Sequence, residues 1–311
     1  LPAWYGFPGR TARVPGMSSE AAASASVPVA GLLGEDVIVR TSDDRRLRTM
    51  QRGAGPDLVV LEAGLGASGY FWGPVHALLA EHVRVIAYDR AGYGGSDPDT
   101  APRDLSRLAA DLDAVISASP HQRLVLAGHS WGGPVVRTLA ARRLLGGRSL
   151  DGLVLVDPSD EHAALYFSRM FRAQAAIQSV LLEPLARTGL LGWALRAMNS
   201  DLEEPLRSAT ATASSTRSAA RAARAENAHV VAGLQHLRDE PFNLGDLPVR
   251  VISGRRAGSL ERASRDALSR AHCTTAHGLK GGRYIEARRS GHMVPFSEPE
   301  LVAREVLSLL Q

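Results

Sequence analysis

The sequence predicts an α/β protein with a mostly parallel, doubly wound sheet, covered by helices on both faces and interrupted by a helical insertion. Short apolar runs alternate with segments of helical periodicity over residues 35–158, and this alternation returns over residues 246–311. Residues 159–245 show no strand pattern, only helical stretches rich in Ala, Leu and Arg. We therefore expect one core built from residues 35–158 and 246–311, with residues 159–245 forming a helical cap.

Each element of the core follows from its local pattern. Residues 36–41 and 46–52 flank a polar turn and predict an edge hairpin. The nearly continuous apolar run of residues 57–63 is typical of a central strand that is covered on both faces. The remaining strands are expected at 83–88, 124–129, 153–156, 247–253 and 283–287, and the core helices at 71–80, 104–119, 133–145, 259–271 and 298–310.

Two segments have compositions unlike the rest of the chain. Residues 1–34 are rich in Pro, Gly, Ala and Ser and predict an N-terminal extension, whose Trp4, Tyr5 and Phe7 could pack on the protein body or a second subunit. Residues 208–228 are poor in bulky apolar side chains. We expect them to form an exposed, weakly packed helix or a mobile lid.

Composition argues against several functional classes. The net charge is only +4, and the arginines are spread along the chain among acidic residues, so we expect no nucleic-acid partner. No apolar run is long enough to span a bilayer. The single cysteine, Cys273, forbids an internal disulfide. It fits the cytoplasmic location that we expect and is also compatible with export.

One group of residues resembles a metal site only weakly, because of its spacing. His272, Cys273 and His277 fit no common zinc pattern, and we expect them in a surface loop after a helix. The sequence therefore predicts no metal site.

The most informative segment is Gly128-His129-Ser130-Trp131-Gly132, a G-x-S-x-G pattern between an apolar run and a helical pattern. A serine in this context sits on a strained turn that presents its hydroxyl above the sheet edge. The glycines at both ends leave room for the close backbone approaches that such a turn requires. We predict that Ser130 is a nucleophile and that His129 has a packing or hydrogen-bonding role.

Together with two further segments, this motif resembles the α/β-hydrolase family from about residue 37 to residue 311. The segments are Asp89-Arg90-x-Gly-Tyr-Gly-x-Ser96, which we interpret as structural, and the loop Ser290-Gly291-His292-Met293. The resemblance implies a serine hydrolase with His292 as general base. It also implies an oxyanion hole formed by the backbone N–H groups of Leu65 and Trp131, with no metal or organic cofactor.

The acid of the triad is less well defined. Many relatives carry it after the strand that we place at residues 247–253, but residues 254–258 contain no carboxylate. Other members of the family carry it after the preceding strand, where Asp157 lies. We favour Asp157, and Asp160 and Glu161 remain alternatives. Glu62, near the expected oxyanion loop, is interpreted as a structural acid.

The serine nucleophile favours a carboxylic ester hydrolase, because relatives that open epoxides use an aspartate at that position. The same triad also serves enzymes that act on peptide, lactone, thioester or C–C bonds, including cyclases of biosynthetic pathways, and a hydrolase-like scaffold can bind a small ligand with little turnover. Apolar patches in the expected cap suggest a small-molecule substrate with an apolar portion. These patches could equally pack the cap onto the core.

Overall fold

The computed structural model describes residues 31–311, and residues 1–30 of the expected extension, with its three aromatic residues, lie outside this range. Eight strands form one sheet in the order β1-β2-β4-β3-β5-β6-β7-β8. The strands are β1 (Glu35–Arg40), β2 (Arg46–Arg52), β3 (Leu58–Glu62), β4 (Arg84–Tyr88), β5 (Leu124–His129), β6 (Gly152–Val156), β7 (Val249–Gly254) and β8 (Gly282–Ala287). Strand β2 pairs antiparallel with β1 and β4, and all other neighbours are parallel. The predicted fold class is confirmed.

The core helices cover both faces of the sheet, and five further α-helices are inserted in the sequence between β6 and β7. Those of the core are α1 (Gly73–Leu79), α2 (Leu105–Ser117), α3 (Gly132–Leu145), α9 (Arg262–Gly278), α10 (Val294–Ser297) and α11 (Pro299–Leu307). The inserted helices are α4 (Arg169–Arg187), α5 (Leu190–Met198), α6 (Leu206–Ser214), α7 (Arg217–Asn227) and α8 (Val230–Asp239). Among the described residues, no helix is both long and apolar enough to cross a membrane.

The side chains of the central strands point alternately to the two faces of the sheet and contribute to two apolar cores. All residues of β3, β5 and β6 are buried, as the continuous apolar runs predict. Leu58 and Val60 of β3 share one apolar cluster with α2, α3 and α9, whereas Val59 and Leu61 share the other with α1 and α11. Successive side chains of a strand point to opposite faces, so one strand supplies both cores.

The segment of residues 208–228 is packed much better than its composition suggests. It forms most of α6 and all of α7, and the expectation of a weakly packed helix or mobile lid is wrong. The small side chains allow close helix packing: Ala219 and Ala220 are buried in a third apolar cluster together with Leu182 and Leu191. Low apolar bulk therefore indicates close approach here, not exposure.

Two local expectations also need correction. The helix expected at residues 71–80 begins with a 3₁₀ turn (Gly69–Trp72) before α1. His272 and Cys273 lie within α9 and not in a loop after it, and His272 is fully buried. Helix α9 continues to Gly278 because its inner face, which includes Leu268, Ala271 and Ala276, packs into the core.

Candidate active site

The elbow between β5 and α3 has the geometry that its glycines predict. Ser130 adopts a positive φ of 52°, a strained conformation for a residue with a side chain. A Cβ on Gly128 would lie 2.4 Å from the Gly132 carbonyl oxygen, and one on Gly132 would lie 2.5 Å from that of Glu62. Both positions therefore exclude any larger residue. The turn is held by hydrogen bonds from Gly133 N–H and Ser159 N–H to the Ser130 carbonyl oxygen, at 3.0 and 2.9 Å.

His292 and Asp157 meet behind this elbow, although 135 residues separate them in sequence. His292 follows β8, and its Nδ1 donates a hydrogen bond of 2.7 Å to Oδ2 of Asp157, which directly follows β6. Asp157 also has a positive φ, of 43°. Thus the two residues that the sequence suggested as base and acid are in direct contact.

The Asp157 carboxylate has further partners besides His292. Oδ1 accepts hydrogen bonds from Gly254 N–H at 2.9 Å and from Nη2 of Arg265 at 2.9 Å. Oδ2 accepts a second bond from Nη1 of Arg265 at 2.8 Å. Burial alone would raise the pKa of Asp157, but Arg265, His292 and His272 hold this pKa well below its usual value. Asp157 is therefore ionised at neutral pH.

The two alternative acids bind elsewhere. Asp160 accepts hydrogen bonds from the hydroxyl of Thr275 at 2.6 Å and from the backbone N–H of His162 at 2.8 Å. Glu161 forms a buried bidentate ion pair with Arg137, with both distances at 2.7 Å. Both carboxylates thus have partners that account for their burial without His292.

His129 lies between the elbow and the His292 loop. Its ring stacks on Phe71 at a centroid distance of 4.6 Å, and its Nε2 donates to the backbone carbonyl of His292 at 2.9 Å. Burial, with the neighbouring His292, lowers the pKa of His129 to about 3. A neutral, buried imidazole in this position orients the His292 loop, in keeping with the packing role that we inferred from the sequence.

The backbone segments expected to form the oxyanion hole flank Ser130. Trp131 is the N-cap residue of α3, and Leu65 lies in the loop after β3 that lines the same pocket as Ser130. Gly64 lies directly beside Ser130, because a Cβ built on it would be 3.1 Å from Cβ of Ser130.

A buried arginine fixes this loop. Arg90 donates hydrogen bonds to the carbonyl oxygens of Ala63 and Gly64, at 2.6 and 2.8 Å, and to Glu62 at 2.7 Å. It also binds Glu226 of α7, with Nη2 to Oε2 at 2.8 Å. The loop before Leu65 is therefore tied to the inserted helices by one guanidinium.

The pocket beside Ser130 is formed jointly by the core and the inserted helices. Its polar side chains include Asn227, which donates to the Ala175 carbonyl oxygen and to the Ser179 hydroxyl, at 3.0 and 2.9 Å. Its apolar lining comprises Leu65, Ala67, Phe71, Leu182, Leu191, Leu195, Met198, Ala220, Ala223 and Met293. The pocket can therefore surround an apolar group next to the serine hydroxyl.

Sequence reasoning missed two residues in this arrangement, Arg265 and Glu226. The segment of Arg90 was interpreted as structural, and Arg90 does hold the loop before Leu65 in place. Arg265 lies on α9. Glu226 lies in the segment expected to be weakly packed. Their sequence neighbours carry no specific signal, because Arg265 stands beside an aspartate and Glu226 stands between an alanine and an asparagine.

Comparison with known proteins agrees with this architecture. A profile of the Alpha/beta hydrolase family matches residues 58–305. A RutD protein of Azorhizobium caulinodans, by its name a candidate carbamate hydrolase, is 40% identical over 89 residues, which make up 28% of this chain and 33% of the relative. A RutD protein of Pantoea ananatis is 39% identical over 93 residues, or 30% of this chain and 34% of the relative. The chain spans about a third of the length of these curated relatives.

Similar solved structures cover almost the whole chain. A candidate epoxide hydrolase from Pseudomonas aeruginosa has a TM-score of 0.69 at 22% identity, covering 89% of this chain and 95% of its own. A thermophilic esterase from Thermogutta terrifontis has a TM-score of 0.65 at 20% identity, covering 89% and 98%. At these identities the likeness concerns the fold. The family profile, however, spans well over half of the sequence, and the protein belongs to the alpha/beta hydrolase family.

Proposed function

We propose that the protein is a serine hydrolase that cleaves a carboxylic ester through an acyl-enzyme intermediate. The observation that carries this proposal is the hydrogen bond from His292 to Asp157, together with a serine on a strained strand-to-helix turn whose neighbour His129 bonds to the backbone of His292. An ionised carboxylate in this position holds the imidazole in the tautomer whose Nε2 can accept a proton, and stabilises the imidazolium that forms.

In the proposed reaction, Ser130 Oγ bonds to the acyl carbon while Nε2 of His292 takes the hydroxyl proton. The bond to the alcohol oxygen then breaks, and His292 returns the proton to that oxygen as the alcohol leaves. Water then loses a proton to His292 and bonds to the acyl carbon. The bond from this carbon to Ser130 Oγ breaks, and His292 returns the proton to that oxygen as the acid is released. The backbone N–H groups of Leu65 and Trp131 are proposed to stabilise the oxyanion of both tetrahedral intermediates.

The inserted helices are proposed to act as a cap that selects the substrate. Their apolar contribution to the pocket supports a substrate with an apolar acyl or alcohol group next to the scissile bond. Esterases occur among the solved structures that share the fold, and the serine distinguishes this site from one with an aspartate nucleophile. The RutD similarity covers too little of the chain to favour a carbamate substrate.

The decisive experiment is Ser130→Ala assayed with nitrophenyl esters of increasing acyl length. We expect kcat to fall by about 10⁴-fold or more, because removal of the nucleophile leaves only binding and the oxyanion hole. Ser119→Ala is the control: this buried serine, just beyond the end of α2, bonds to the Val115 carbonyl oxygen. Wild-type turnover in Ser130→Ala would refute the proposal.

A fluorophosphonate probe separates catalysis from ligand binding. A catalyst should be labelled at Ser130 and should also turn over an ester, whereas a scaffold that only binds ligands should show no turnover with any acyl length. Absence of turnover in the wild-type protein across ester, thioester, lactone and amide substrates would favour the binding scaffold.

A further inference from the structure

Arg265 forms a buried ion pair with Asp157, the carboxylate that bonds to the proposed base His292. Its two Nη atoms bind the two oxygens of Asp157 at 2.8 and 2.9 Å, in a bidentate arrangement. The side chain is buried on α9, and Asp157 is buried at the end of β6. The contact is therefore largely shielded from water, where a charge-assisted pair of this kind is strong.

The same carboxylate oxygen serves both Arg265 and His292. Oδ2 of Asp157 accepts from Nη1 of Arg265 at 2.8 Å and from Nδ1 of His292 at 2.7 Å. With the two bonds to Oδ1, from Arg265 and Gly254, four donors surround the carboxylate. An ionised carboxylate offers about four lone-pair sites, so its orientation is fully determined.

We propose that Arg265 is a positioning residue of the active site. It holds the Asp157 carboxylate in the orientation in which it bonds to His292. Because the positive charge of Arg265 offsets part of the negative charge of the carboxylate, it also limits how strongly Asp157 stabilises the protonated imidazole. This inference rests on the proposed function, because it concerns the same base. Without Arg265, the carboxylate would face His292 with its whole negative charge. The imidazolium would then be more stable, and the free base would form only at higher pH.

Besides Arg265, several other charged and titratable groups lie around His292, but Arg265 is the cation that bonds to the Asp157 carboxylate. His129, at the end of β5, lies 4.6 Å from the His292 ring and is neutral because burial lowers its pKa to about 3. His272 of α9 lies 3.8 Å from Asp157, and burial lowers its pKa as well. Asp160 and the phenol of Tyr166 also lie near this cluster, and the buried Glu298 accepts a hydrogen bond from the Ser290 hydroxyl in the loop of His292.

Two substitutions separate the charge of Arg265 from its geometry. Arg265→Gln keeps a hydrogen-bond donor and removes the charge. We expect the acid limb of the pH profile of kcat/KM to move up by about one pH unit. Arg265→Lys keeps the charge without the bidentate fork, so we expect a limb close to the wild-type position with a lower kcat.

Arg137→Gln is the matched control, since Arg137 is a similarly buried arginine in a bidentate pair with Glu161. It should lower the melting temperature without moving the pH limb. An Arg265→Gln protein whose pH limb stays at the wild-type position would overturn the proposal. If that variant does not fold, an Arg265→Lys protein with wild-type kcat and pH profile would overturn it equally.

A direct titration keeps this proposal distinct from the proposed hydrolase reaction. The ring signals of labelled histidines, assigned with His292→Gln, give the titration midpoint of His292 without any substrate. A midpoint about one unit higher in Arg265→Gln supports the role of Arg265 even if Ser130→Ala shows that the reaction differs from the one proposed. An unchanged midpoint refutes that role even if the hydrolase proposal holds.

Discussion

Replacing Glu226 with glutamine tests whether the inserted helices hold the oxyanion loop in its active geometry. Glu226 is fully buried on α7 and accepts hydrogen bonds from Arg90 at 2.8 and 3.1 Å and from Arg103 at 3.0 and 3.3 Å. Arg103 and Arg90 are themselves buried. The substitution keeps the shape of the side chain and removes the one carboxylate that both guanidinium groups share, while Arg90 keeps Glu62 and Arg103 keeps Asp99 as partners.

The expected loss of stability follows from that burial. Removing one partner of a buried ion pair leaves an uncompensated charge and costs about 3–5 kcal/mol. Glu62 still faces Arg90, at 2.7 Å, so the lower end of this range is expected. A domain of ordinary stability, about 5–15 kcal/mol, tolerates such a loss and remains folded at low temperature.

The kinetic effect follows from the position of Arg90. Its hydrogen bonds to the carbonyl oxygens of Ala63 and Gly64 fix the backbone just before Leu65, the proposed oxyanion donor. Complete loss of one such donor costs about 10²–10³ in kcat. Partial misalignment should cost about tenfold, with KM nearly unchanged, because the oxyanion exists only in the transition state.

Urea unfolding and steady-state ester kinetics measure the two effects on the same protein. Glu161→Gln provides the control: this carboxylate is as deeply buried and forms a bidentate pair with Arg137, with both distances at 2.7 Å, instead of with Arg90 or Arg103. The control should lose stability and retain kcat. A Glu226→Gln protein that is less stable but has wild-type kcat would refute the coupling, as would an equal fall of kcat in the control.

Three further predictions concern the acid, the elbow and one buried histidine. Asp157→Asn should lower kcat by about 10⁴-fold because the imidazole loses its preferred tautomer, whereas Asp160→Asn should leave it nearly unchanged; the reverse order in ester assays would reassign the acid. Gly132→Ala should destabilise the protein by about 1–3 kcal/mol and abolish turnover, since its Cβ would lie 2.5 Å from a β3 carbonyl oxygen. Gly278→Ala, which has open space, should be tolerated in the same unfolding assay. His76 has its pKa lowered by burial to about 4, so the stability it contributes is present above its unfolded pKa of about 6.5 and is lost as pH falls toward 4. Between pH 6.5 and 4.5, the unfolding free energy should therefore depend on pH less steeply in His76→Gln than in the wild-type protein, by about 1.4 kcal/mol per pH unit. Equal slopes in the two proteins would show that this histidine is not buried in its neutral form.

The sequence by itself determined the fold class and the elbow, because both depend on interactions between near neighbours. The continuous apolar runs of β3, β5 and β6 specify strands that are covered on both faces, and those strands are fully buried. The elbow requires Gly128 and Gly132 within a few residues of Ser130, where a Cβ would collide with backbone. Such short-range steric requirements leave a readable pattern.

Only the tertiary structure decided which groups surround His292, the proposed base. The hydrogen bond between Asp157 and His292 joins residues that are 135 positions apart, and the pair of Arg265 with Asp157 joins residues 108 positions apart. Arg90 and Glu226 are separated by 136 positions. A single arginine on an amphipathic helix looks the same in sequence whether it faces solvent or a buried carboxylate. The order of strands in the sheet, the packing of α9 on it and the packing of α7 against α4 and α5 place these charges together.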